Sequence, residues 1–165
     1  MNIAIVGATG NVGRKLLDVL DKKNFQITEL FLVASPKSAG KKIKFKNEEL
    51  IVEDLNNFDF SKVKLAFFAA GSAIAEKWAP IAAEKTIVID NSKFFRKDPQ
   101  IPLVVPEVNS KELAHVKHKN IIANANCSVI PIVVALKPLH DLYSVKRIVA
   151  STYQSVSGAG KEAMD

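Results

Sequence analysis

A lone cysteine, Cys127, stands in the string Asn124-Ala125-Asn126-Cys127-Ser128. A free cysteine is ordinarily a small buried hydrophobe. This one precedes a segment running to about Tyr143, helical in period but punctuated by Pro131 and Pro138, and Pro131 is comfortable only in a helix's first turn. The helix therefore starts within a residue or two of Cys127. At such a start the helix dipole and the unpaired N–H groups favour thiolate, the attacking form of sulfur, and can also hold an oxyanion. Cys127 is thus a candidate nucleophile.

A second cluster opens the chain. Gly7-Ala8-Thr9-Gly10-Asn11-Val12-Gly13 follows the apolar run Ile3–Val6 and leads into a helical pattern. Glycines at this spacing allow a tight turn and close approach of backbone to a phosphate, and strand before and helix after are the context a dinucleotide fold requires. Selectivity is then decided at the end of the second strand, where an NAD enzyme places a carboxylate on the ribose. The string there is Ala34-Ser35-Pro36-Lys37-Ser38-Ala39-Gly40. It holds no carboxylate, and its cation and hydroxyls suit a 2′-phosphate, the other reading being a polar turn with a solvated lysine. Together with Cys127 these features suggest a nicotinamide enzyme that reacts covalently through sulfur.

Arg96 follows the strand-like Thr86–Ile89 in a polar turn, at the carboxyl edge where open α/β sheets bind ligands. Its planar fork suits a phosphate or carboxylate, and an ion pair with Asp98 fits the same spacing. His115, His118 and His140 have no Cys or carboxylate partner at metal-ligand spacing, so no metal site is expected and the histidines read as surface residues. The general base that thiol chemistry needs is not visible in the chain.

The elements that must position these groups alternate. Apolar runs at Ile3–Val6, Leu30–Ala34, Leu65–Ala70 and Thr86–Ile89 are separated by helix-period segments at Val12–Leu20 and Ile74–Ala83. This predicts an α/β, Rossmann-type, doubly wound and mostly parallel sheet with helices on both faces. Lys42–Phe45 and Glu49–Val52 read as a hairpin. Residues 94–108, with Pro99, Pro102 and Pro106, read as extended loop. Ser110–Val116 reads as a helix capped by Ser110, Ile121–Asn124 and Arg147–Tyr153 as strands, and Lys161–Asp165 as the first turn of a helix at which the chain is cut off.

At 165 residues and 48% apolar, one domain is expected over 1–165. The net charge of +6 comes from scattered lysines without interleaved aromatics, which points to anionic small ligands rather than nucleic acid. One cysteine makes no internal disulfide, and Met1-Asn2-Ile3 opens no basic leader, so a reducing, cytoplasmic setting is expected. The longest apolar stretch, Val129–Leu136, is far short of the ~18 residues a membrane helix needs.

In order along the chain, Gly7–Gly13, Ser35–Gly40, Val88–Ser92 with Phe95-Arg96, Pro102–Asn109, Ile121–Ser128, Ala135–His140 and Ser151–Gly160 resemble aspartate-β-semialdehyde dehydrogenase. The resemblance implies reversible, NADP-dependent reductive dephosphorylation of aspartyl phosphate to aspartate semialdehyde and phosphate, on the route to lysine, threonine and methionine. It implies Cys127 as the acylated nucleophile, Arg96 as phosphate ligand and Gln154 as the residue orienting substrate or thioester. It further implies that Gly7, Thr9, Gly10, Asn11, Val12, Lys37, Ser38, Ser157 and Gly158 contact NADP. Members of that family work as homodimers and continue into a substrate and dimerisation domain with the catalytic histidine and a second arginine, which this chain lacks.

Three departures stand out: Lys37 where arginine is frequent, Ala125 for a usual proline, and Ser72-Ala73 for a common Gly-Ser. Lys37 keeps the charge and loses the planar fork. An N-acetyl-γ-glutamyl-phosphate reductase shares the thioester logic and is the rival enzyme. A catalytically inert NADP-binding fragment is the rival of a different class.

Overall fold

The computed structural model describes residues 1–23 and 25–159. Its eight strands form one sheet: β1 (Ile3–Val6), β2 (Leu30–Ala34), β3 (Lys42–Phe45), β4 (Glu48–Asp54), β5 (Leu65–Phe68), β6 (Ile87–Asp90), β7 (Leu103–Val104) and β8 (Ile121–Asn124). Their order across the sheet is β3-β4-β2-β1-β5-β6-β8-β7, and all neighbours are parallel except the β3–β4 hairpin. The chain steps from β1 outward to β2, then returns to lay β5 on the other side of β1. That reversal creates the switch point at which open α/β sheets take ligands.

Burial on both faces explains why the central strands read as unbroken apolar runs. All four residues of β1 are fully buried and alternate between two cores. Ile5 packs with Leu32, Ala34 and Val52 beneath Leu17 and Leu20 of α1 (Asn11–Lys22). Ala4 and Val6 face the opposite core, with Ala66, Phe68 and Val88 beneath α2 (Ser72–Ala83). α2 presents Ala75, Ala79, Ala82 and Ala83 to the sheet, and these small side chains let its backbone approach closely.

Strand register aligns the functional edge. Val6 lies opposite both Val33 and Phe68, Phe68 opposite Asp90, and Asp90 opposite Ala123. The residues that follow these positions, among them Gly7, Asn91 and Asn124, therefore leave the sheet along one line. From β1 to β8 is three strand spacings, ~14 Å.

Three expectations are corrected. Residues 94–108 are not extended loop: Phe94–Lys97 is a 3₁₀ turn, Leu103–Val104 is β7, and Pro106–Asn109 is a helical turn, α3. Pro106 occupies α3's first position, where a missing N–H costs nothing. Ser110–Val116 is not an α-helix begun by Ser110. It lies within a 3₁₀ stretch, Ser110–His118, that continues directly from α3, and Asn109 anchors the junction by accepting from the Val105 amide at 2.8 Å and donating to the Leu103 carbonyl at 2.9 Å.

Nor is Arg147–Tyr153 a strand. After α4 (Val129–Tyr143) the chain runs on without pairing, leaving Ile148, Val149 and Tyr153 exposed. A β-prone run becomes a strand only where a neighbour accepts its hydrogen bonds, and none among the described residues does. The expected helix at Lys161–Asp165 lies outside the described residues, as do the side chains of His115 and His118.

Candidate active site

The glycine loop is built by steric necessity. Gly7 adopts φ +89°, and a Cβ there would stand 2.7 Å from the Ala69 carbonyl carbon and oxygen. A Cβ on Gly13 would stand 2.3 Å from the Gly7 oxygen, so only glycine lets α1 start this close to β1. Gly10 is the N-cap of α1 and supplies no side chain; its own amide donates to Gly7 O at 3.0 Å, and the Arg14 amide donates to Gly10 O at 2.9 Å. The exposed amides of Asn11 and Val12 are thereby left open at the edge, the arrangement that accepts a pyrophosphate. Thr9, half-buried, belongs to the same turn.

The loop is tied to β2 by the Gly7 amide donating to Val33 O at 2.8 Å. Just beyond β2, the turn Pro36–Ser38 carries an exposed Lys37 and a half-exposed Ser38, again with no carboxylate in it. These groups fit a phosphorylated dinucleotide: open amides over the switch point and an exposed cation just beyond β2. One element went unread in the sequence. Gly71, at φ +85°, is the N-cap of α2 beside the glycine loop, giving a second helix start at the switch point. The same strand–glycine–helix grammar that marks Gly7–Gly13 was available there.

Cys127, the candidate nucleophile, is held in place by its neighbour. Asn126 Oδ1 accepts from the Ser128 amide at 2.9 Å and from Ser128 Oγ at 2.7 Å, and its carbonyl accepts from Val129 and Ile130 at 2.9 and 3.1 Å. Asn126 thus organises the turn that leads into α4. Cys127 is exposed on this turn, its Sγ 4.0 Å from Asn126 Oδ1. Gln154, 27 residues later, donates from Nε2 toward Sγ at 3.8 Å. Among the described residues no titratable side chain is hydrogen-bonded to this sulfur.

Arg96 sits on the 3₁₀ turn after β6, which Asp90 organises. The fully buried Asp90 accepts from the Ser92 amide at 3.0 Å and Ser92 Oγ at 2.6 Å, and Ser92 Oγ accepts from the Phe94 amide at 3.1 Å. Burial pushes the Asp90 carboxyl up, opposed by the Ser92 hydrogen bonds and the Arg96 charge. Arg96 donates from Nε to Asn124 O at 2.9 Å and from Nη2 to Asn91 O at 3.0 Å. It does not pair with Asp98. That carboxylate accepts from the Gln100 amide and meets Lys119 at 3.3 Å, which together hold its pKa below the ordinary value.

The structure therefore brings Cys127, Gln154 and Arg96 to the carboxyl ends of β6 and β8, and sets the glycine loop and Lys37 at the ends of β1 and β2. Ser157 lies on the turn Val156–Ala159 with Gly158, and its hydrogen bonds are to Ser155. Two concavities open at the opposite, amino edge, one lined by Lys64, Thr86 and Asn120 and the other by Phe31, Phe45 and Leu50. Neither touches these groups, so the site is defined by convergent chemistry on an open edge.

Residues 2–116 match the family described as semialdehyde dehydrogenase, NAD binding domain, and residues 136–165 match semialdehyde dehydrogenase, dimerisation domain. Aspartate-semialdehyde dehydrogenase 2 of Vibrio cholerae is 52% identical across 99% of this chain and 49% of its own length. Its counterpart in Aquifex aeolicus is 51% identical across 99% and 48%. The crystal structure of the Vibrio cholerae enzyme complexed with ASA superposes with a TM-score of 0.96 at 51% identity, covering 99% of this chain and 49% of that one. A Candida albicans aspartate semialdehyde dehydrogenase solved with NADP gives 0.66 at 25% identity, covering 88% and 48%. The chain spans about half the length of the curated relatives it matches. Fold, edge chemistry and matches converge on one conclusion: the chain belongs to the semialdehyde dehydrogenase family.

Proposed function

We propose that this chain is the cofactor-binding, nucleophile-bearing part of a cytoplasmic, NADP-dependent aspartate-semialdehyde dehydrogenase, completed by a further substrate-binding and dimerisation portion. The observation that carries the reading is Gln154 Nε2 lying 3.8 Å from Cys127 Sγ, on the sheet edge that also presents Arg96. A sulfur on a helix start beside an amide donor is equipped to attack a carbonyl and hold the oxygen as it charges.

Cys127 Sγ attacks the acyl carbon of aspartyl phosphate. The C–S bond forms as the bond to phosphate oxygen breaks, and phosphate leaves with the electron pair. Arg96 receives the departing phosphate, while Gln154 Nε2 donates to the acyl oxygen. Gly7, Thr9, Gly10, Asn11 and Val12 hold the cofactor's pyrophosphate, Lys37 and Ser38 its 2′-phosphate, and Ser157 and Gly158 contribute from the turn after Gln154. The chemistry a nicotinamide cofactor would supply when held there is hydride transfer to the acyl carbon. Cys127 then departs as the C–S bond breaks. The proton-transfer group comes from outside residues 1–165. The dimerisation-domain match over residues 136–165 supports a homodimer as the working form.

The test supplies the protein containing this chain with phosphate, NADP and either aspartate semialdehyde or N-acetylglutamate semialdehyde. NADP reduction with the first substrate alone is expected, and residues 1–165 by themselves should bind NADP without turnover. Turnover of the acetylated substrate instead would move the assignment to the rival reductase.

A further inference from the structure

A closed ring of hydrogen bonds sits between the ends of β6 and β8. Register prepares it: Asp90 lies opposite Ala123, so Asn91, the first residue past β6, lies beside Asn124, the last of β8. Asn124 Nδ2 donates to Asn91 Oδ1 at 2.6 Å. Arg96 completes the ring through its bonds to the two main-chain carbonyls, Asn124 O and Asn91 O. Asn91 is also held from behind, its amide donating to Phe68 O at 3.0 Å. One residue thus links the ends of β5, β6 and β8.

The ring decides which part of Arg96 is left to bind anything. A guanidinium has five N–H donors in a fixed plane. Nε and Nη2 spend one donor each, along one edge of that plane, on the two carbonyls. Nη1 makes no hydrogen bond among the described residues, so the tip of the fork, with one donor from Nη1 and one from Nη2, is left unpaired. That tip matches two oxygens of a phosphate. Its direction depends on the two carbonyls keeping their separation, one at the last residue of β8 and the other just past β6. Beyond the strand register, the bond between the Asn91 and Asn124 side chains ties the two together.

We propose that Asn91 is a positioning residue that aims the Arg96 fork at the phosphoryl group, acting through its side-chain bond to Asn124; this rests on the reading of Arg96 as the phosphate ligand. Neither asparagine needs to touch substrate. Loosening the ring should therefore weaken phosphate recognition more than it slows the chemistry at Cys127.

The test measures phosphate-dependent oxidation of aspartate semialdehyde by the protein containing this chain. Asn91→Ala should raise the phosphate KM about five- to tenfold, the worth of one hydrogen bond, with a smaller change in kcat and an unchanged KM for NADP. Asn124→Ala should do the same. The double variant should be no worse than either single, because both remove one bond. A merely structural role would instead lower the melting temperature and kcat and leave phosphate KM alone. Wild-type turnover with unchanged phosphate KM in both single variants, or additive effects in the double, overturns the positioning role by itself. Absence of any phosphate-dependent turnover in the wild-type protein overturns the functional reading, and this inference with it.

Discussion

Arg96→Lys separates the two jobs that the structure gives this residue. Structurally, the guanidinium bridges the ends of β6 and β8 by donating to the half-buried Asn91 O and Asn124 O. A lysine ammonium is a point donor and can follow only one of these carbonyls at a time. A hydrogen bond from a charged group is worth about 1.5–3 kcal/mol when shielded. Arg96 is only partly buried, so water replaces much of what is lost, and the stability cost should be about 1 kcal/mol. For a domain of this size that lowers Tm by roughly 2–4 °C. Functionally, the outward tip loses its paired donors. Removing the second charge-assisted bond to phosphate should raise phosphate KM roughly ten- to a hundredfold. Thermal melts and a phosphate titration of the oxidative reaction read the two effects separately. Wild-type values of both Tm and phosphate KM would refute the reasoning. A lowered Tm with unchanged KM would reduce Arg96 to a loop clamp.

Three further outcomes are expected. Lys37→Ala should weaken NADP binding about tenfold or more and spare NAD, because an exposed cation with no partner carboxylate in its turn is available to the 2′-phosphate; fluorescence titration showing equal losses for both cofactors would contradict this. Gly13→Ala forces a Cβ to 2.3 Å from a main-chain oxygen that cannot rotate away, so it should cost about 3 kcal/mol or more and lower Tm accordingly, where an unchanged melt would refute the packing argument. Burial raises the Asp90 carboxyl, so ionising it is costlier in the fold than in the unfolded chain. Its contribution to stability is therefore present below its ordinary value of 3.8 and is lost as pH rises through the raised native value. Asp90→Asn should accordingly gain in Tm relative to wild type as pH is raised from about 4 to about 7, and a pH-independent difference would show that burial does not dominate.

The readable parts of the sequence were those that burial writes plainly. β1, β2, β3 and β8 occupy the residues their apolar patterns predict, because strands covered on both faces or paired in a hairpin must be apolar where they are buried. The stretch from 94 to 118 was opaque because its structure comes from side chains bonding backbone, as with Ser92, Asp98 and Asn109, and from proline starting a helical turn. None of these leaves a periodic signature. Arg147–Tyr153 failed for the opposite reason: the pattern is a strand's, but a strand is a property of two segments. At the site, Cys127, the glycine loop and Arg96 were visible as residue types at an element's end. The asparagine pair was not, since Asn91 and Asn124 stand 33 residues apart and meet only through sheet register. Gln154 beside Cys127 likewise depends on how the chain returns after α4, which local pattern does not encode.

The central claim is that Cys127 carries the acyl group, and peptide-level mass spectrometry tests it most directly. The protein containing this chain is incubated with aspartate semialdehyde and NADP in the absence of phosphate, so that oxidation proceeds to the thioester and stops. One aspartyl group per chain should appear on the peptide containing Cys127, be absent from Cys127→Ala, and be released on adding phosphate together with a second round of NADP reduction. Undiminished turnover of Cys127→Ala, or an adduct on any other residue, would contradict the account.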